Sequence, residues 1–198
     1  AIEAANIGSA SSYGADHVSE HLRELTGEVF QSADARIFPV PSGTAANSLA
    51  LSALCPPWGS VLCHETAHIF VNEAGATSMF GGGAVLRALH GANYKLHCEQ
   101  VVQAFAATLW GDPHCSQPSV LSVTCPTDFG TIYSPAEVAA LARLAATRGL
   151  RTHLDGARLA NAVAALDCAP SALTTDAGVC AISLGRSEEH TSELQSLS

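Results

Sequence analysis

With 198 residues, 47% of them hydrophobic and only 14% charged, the chain can bury a core without disulfide or metal staples. Nine Lys plus Arg against 18 Asp plus Glu leave a formal charge of −9 with no basic cluster, which excludes a nucleic-acid-reading surface. Seven scattered Cys without a Cys-x-x-Cys pair exclude a zinc ribbon and a disulfide framework, and no apolar run reaches membrane-spanning length, so a cytoplasmic, non-membrane protein is expected.

Leu22, Leu25 and Val29 predict a helix over residues 19–30, and residues 36–40 read as a short strand. Pro41-Ser42-Gly43-Thr44 follows, and an apolar helix runs over residues 44–54. Ser42, Gly43 and Thr44 thus offer hydroxyls and unencumbered N–H groups at the positive end of a helix, which suits a phosphate. Simple capping by Ser42 accounts for the same residues, and without a Walker lysine a nucleoside triphosphate is not implied.

Residues 61–63 read as a strand ending at His64-Glu65-Thr66-Ala67-His68. These match His-Glu-x-x-His, the zinc-hydrolase motif, but lie at a strand end and not inside a long helix, with no third ligand at a familiar offset. A helix over 69–79 leads to Gly81-Gly82-Gly83, a connector before a strand at 84–89. Lys95, the only lysine in the sequence, is expected as a solvated loop residue.

A helix over 99–109 and a buried-type strand over 119–125 come next, and Ser134-Pro135-Ala136-Glu137 is a capping box opening a helix that runs to Arg148 and stops at Gly149. Residues 150–154 form a strand that ends in Asp155-Gly156. Asp155 there reads either as an N-cap paired with Arg158, or as a site carboxylate at the carboxyl end of a parallel strand. A last strand covers 179–184. The alternation predicts an α/β fold with a parallel, doubly wound sheet flanked by helices.

Ser-Gly-Thr-Ala-Ala-Asn at 42–47, Ala-His-Ile-Phe-Val-Asn-Glu-Ala-Gly at 67–75 and His-Leu-Asp-Gly-Ala-Arg at 153–158, with weaker agreement at Tyr13-Gly14-x-Asp16 and Gly130-Thr131-x-Tyr133, resemble the threonine aldolase family. The resemblance implies a three-layer αβα large domain of the aspartate-aminotransferase type, here incomplete, over residues 1–185. It implies pyridoxal 5′-phosphate as cofactor, with Ser42, Gly43 and Thr44 on its phosphate, His68 stacked on its ring and Asp155 on its pyridine nitrogen. Arg158 would clamp the carboxylate of an amino-acid substrate, and the implied reaction cleaves β-hydroxy-α-amino acids to glycine and an aldehyde.

The family also carries a Schiff-base lysine at or next to position 188, where this chain has Glu188. Residues 186–198 are therefore expected to be foreign to the family, artefactual or disordered, and the chain an inactive fragment that binds the cofactor weakly. The full-length protein is expected to be a homodimer or homotetramer. The competing expectations are another pyridoxal-phosphate lyase or aminotransferase-like enzyme, a zinc hydrolase using His64, Glu65 and His68, and a non-catalytic binding homologue.

Overall fold

The computed structural model describes residues 8–185; the expected lysine position near 188 and the tail 186–198 lie outside the described residues. The chain divides into two compact units, Ala1–Pro39 and Val40–Ser198. In the first, helix α1 (His17–Val29) is capped by Asp16, whose carboxylate accepts the Val18 and Ser19 N–H groups, each at 3.0 Å. Residues 36–40 form no strand. Pro39 and Pro41 have no N–H to give a ladder, and Phe38 stays 67% exposed.

The second unit is built on five parallel strands: β1 (Gly59–His64), β2 (Val85–Leu89), β3 (Gln117–Thr124), β4 (Arg151–Gly156) and β5 (Ala181–Leu184). Their order is β2-β1-β3-β4-β5, an order of the doubly wound class. Helix α2 (Gly43–Leu54) packs on β3, β4 and β5, and the short α3 (His68–Val71) and α4 (Ala76–Phe80) follow β1, with α4 against α2 and β2. The opposite layer holds α5 (Cys98–Ala106), α6 (Pro135–Ala146) and α8 (Pro170–Leu173), with α7 (Leu159–Leu166) against α8. Every residue of β1 is buried, as a strand covered on both faces must be. Leu51 of α2 and Cys55, its C-cap, close on Val61, Cys63, Ile69 and Val120 to form the core beneath this helix.

The expected helix over 69–79 is broken into α3 and α4. Ala74 (φ 48°) and Gly75 (φ 80°) are both left-handed, and a right-handed helix cannot pass through them. Glu73, immediately before, is turned into the protein and buried. The capping box at Ser134 forms as expected, with the Ser134 N–H donating to Glu137 Oε2 at 2.7 Å, and Gly149 (φ 74°) ends the last turn beyond α6.

Lys95 is not solvated. Its side chain is only 12% exposed, donating to Glu137 Oε1 at 2.6 Å and to the Ile132 carbonyl at 3.0 Å, with the Tyr133 ring 4.8 Å away. The partners lie 37 and 42 residues further along the chain, so the loop position alone did not reveal them. Among the described residues no helix is long and apolar enough to cross a membrane.

Candidate active site

The carboxyl ends of β3, β4 and β5 carry Thr124, Asp155 and Ser183 side by side in register, Thr124 opposite Asp155 and Asp155 opposite Ser183. This row opens into a cleft of about 240 Å³. Ser42, Gly43, Thr44 and Asn47 of the α2 amino end line it, together with His68, Asp128 and Arg158. All six residues singled out from the sequence motifs therefore meet at one place, outside the carboxyl ends of parallel strands.

The amino end of α2 carries a side-chain cap and free N–H groups. Ser42 is the N-cap, its Oγ accepting the Ala45 N–H at 3.2 Å. The N–H groups of Gly43 and Thr44 have no acceptor among the described residues, as the first turn of a helix requires. A Cβ built on Gly43 meets nothing within 4 Å, so the space over this turn is open. Such an end can hold a phosphate or a similar anion.

Asp155 lies within β4 and is 4% exposed; the N-cap position of α7 belongs to Arg158. Its Oδ1 accepts the Ala157 N–H at 3.2 Å and its Oδ2 the Asn47 amide at 3.2 Å. Burial pushes its carboxyl above the ordinary range, against the lowering effect of those two bonds. Arg158 does not pair with it. Its Nη1 donates to Asp128 Oδ1 at 2.9 Å, and at 36% exposure its guanidinium remains open to the cleft.

His68 opens α3 and is held by its Nδ1, 2.9 Å from Glu73 Oε1. Asn47 joins the two acids, its Nδ2 donating to Glu73 Oε1 at 2.7 Å as well as to Asp155. Below Asp155 on the same strand face, His153 is fully buried between the hydroxyls of Ser122 (2.9 Å) and Ser183 (2.8 Å). Burial drives its ring down to about 3, so it is a neutral support for the strand end.

Sequence reasoning missed Asn47, Glu73 and Asp128 as site residues. The usable signal was Asn47, an amide in an Ala- and Leu-rich helix, because buried amides need specific partners.

The zinc arrangement does not form. His64 ends β1 and its ring nitrogens are taken by Thr66 Oγ1 at 2.8 Å and Gly91 at 3.1 Å, while Glu65 faces His90. With His64 on a strand and His68 opening a four-residue helix, the two imidazoles do not share a helical face.

A model of the beta-eliminating lyase family matches residues 1–188. The chain belongs to this family. Within it, the low specificity L-threonine aldolase of a Pseudomonas species is 37% identical over 185 residues, covering 93% of this chain and 53% of that protein. The low specificity L-threonine aldolase of Pseudomonas aeruginosa matches at the same identity and coverage. The threonine aldolase structure from Leishmania major superposes with a TM-score of 0.77 at 26% identity, over 87% of this chain and 50% of that one. The chain thus spans about half the length of the relatives it matches.

Proposed function

We propose that this chain carries the cofactor cleft of a pyridoxal-phosphate-dependent threonine aldolase, which cleaves β-hydroxy-α-amino acids to glycine and an aldehyde. The observation that carries this reading is Asp155, a buried carboxylate with no cationic partner among the described residues, at the floor of a cleft that also holds the unpartnered N–H groups of Gly43 and Thr44. These residues fit the group. A phosphate would find the open α2 end, and a protonated ring nitrogen would supply the opposite charge that favours ionised Asp155 against burial.

When bound, pyridoxal phosphate supplies an electron sink for the pair released as the substrate Cα–Cβ bond breaks. Gly43 and Thr44 would donate to its phosphate, with the Ser42 and Thr44 hydroxyls beside them. Asp155 would hold the proton on the ring nitrogen, and His68 would lay its imidazole on the ring. Arg158, steadied by Asp128 on one edge, would give its free edge to the substrate carboxylate, where a planar fork fixes orientation better than a point charge.

Lys95, the sequence's one lysine, is held by Glu137 and Ile132 and does not line the cleft. We therefore propose that the 198-residue chain holds the cofactor without a covalent bond, weakly, and is inactive alone. For a protein of the relatives' full length, the proposal is a cytoplasmic homo-oligomer acting on a small amino acid. Seven free cysteines support a reducing compartment, and exposed Phe70, Val71, Met79 and Phe80 support burial against another copy.

The test is product analysis of a full-length protein supplied with threonine. Glycine and acetaldehyde in equal amounts are expected; ammonia and a keto acid would overturn the aldolase reading in favour of another eliminating lyase.

A further inference from the structure

We propose that Glu73 and Asn47 are positioning residues of the cleft: Glu73 fixes the His68 imidazole as its Nδ1–H tautomer, leaving Nε2 as a free acceptor, and Asn47 fixes the Asp155 carboxylate. The Glu73 side chain is 0% exposed, and its Oε1 meets both the Asn47 amide nitrogen at 2.7 Å and His68 Nδ1 at 2.9 Å. An ionised carboxylate only accepts and an amide nitrogen only donates, so the hydrogen between Glu73 and His68 comes from the imidazole. With one hydrogen on the ring, that hydrogen sits on Nδ1 and Nε2 is bare; Nε2 has no partner among the described residues.

Asn47 cannot turn its amide round. Its nitrogen already reaches Asp155 Oδ2 at 3.2 Å, and a flipped oxygen would face two carboxylates. The arrangement is held at a disadvantage: Asn47 Oδ1 and Glu73 Oε2 are buried without partners, and the backbone turns left-handed at Ala74 directly after Glu73. A bond made for packing alone is met more readily by an apolar pair, and strain of this kind collects at functional sites. What the fixing achieves rests on the cofactor reading above: a ring plane locked for stacking and a carboxylate locked for one nitrogen.

The experiment is nitrogen NMR of the histidine-labelled chain in alkaline buffer, with His68 assigned by its loss in His68→Phe. The expected spectrum shows His68 with Nδ1 protonated and Nε2 bare. Glu73→Leu should release that preference, and Glu73→Gln, whose carbonyl still accepts, should keep it. An Nε2–H ring in the unsubstituted chain, or an unchanged ring in Glu73→Leu, overturns the proposal. The unsubstituted spectrum decides even if the leucine variant fails to fold. In a parallel titration with pyridoxal phosphate, Asn47→Ala should weaken binding roughly tenfold while leaving the His68 tautomer in place; unchanged binding overturns Asn47's part. A fixed Nδ1–H ring with no cofactor binding at all would sustain Glu73's role and remove the cofactor reading instead.

Discussion

Two polar clusters in the second unit use similar parts and end in different states. Around Lys95, every group is matched: the ammonium meets Glu137 and the Ile132 carbonyl, Glu137 also accepts from Ser134, and the Tyr133 hydroxyl accepts the Leu96 N–H at 2.6 Å. Around Asn47, one amide is shared between two acids, two buried oxygens lack partners, and burial raises the Asp155 carboxyl. The first cluster is complete without a ligand and ties a loop to the start of α6. The second opens on a cleft at Asn47, His68 and Asp155, and the proposed cofactor would give the Asp155 carboxylate the cationic partner it lacks among the described residues.

Breaking the matched cluster should have the largest effect on stability. Lys95→Ala should lower it by about 2 kcal/mol in urea unfolding, the value of a lost charged hydrogen-bond set, and leave cofactor binding unchanged. The deficit should depend on pH. Burial alone would push the Glu137 carboxyl up, but Lys95 and the Ser134 bonds outweigh it and hold it below 4.5. A depressed carboxyl stabilises above the unfolded value, so the difference between parent and Lys95→Ala should shrink as pH falls through the folded value.

At the cleft the expected effects fall on function. Arg158→Lys replaces a planar fork by a point charge and should raise KM for the amino acid roughly tenfold in the full-length enzyme, with kcat little changed. The smallest stability effect, of opposite sign to that of Lys95→Ala, belongs to Asp155→Asn. The folded state holds the Asp155 proton more tightly than the unfolded state does, so this group weakens the fold as pH rises above 3.8. The variant should thus be no less stable than the parent near neutrality, and a marked loss there would show that Asp155 serves the fold.

The strands around 61–63, 119–125 and 150–154 were legible because short apolar runs between turns have few alternatives in a covered parallel sheet. Residues 36–40 misled because the same apolar pattern lacked N–H donors at the prolines. Ser42, Asp155 and Arg158 could be chosen because each is tied to a turn or a strand end, and His68 because it stands in a stretch that resembles the threonine aldolase family. Glu73 and Asn47 stand in the matched stretches 67–75 and 42–47, but their partners could not be read there: the bonds of Asn47 to Glu73 and to Asp155 span 26 and 108 residues, a separation no local pattern reports. Lys95 was misplaced for the same reason.

The most direct measurement is a titration of the chain with pyridoxal 5′-phosphate, followed by its absorbance, in parent and Asp155→Asn. The account predicts saturable binding by the parent that weakens by about 2 kcal/mol or more in the variant, as when one partner of a buried charge pair is removed, with the fold intact. Equal binding by both, or none by a folded parent, would contradict the assignment of this cleft to the cofactor.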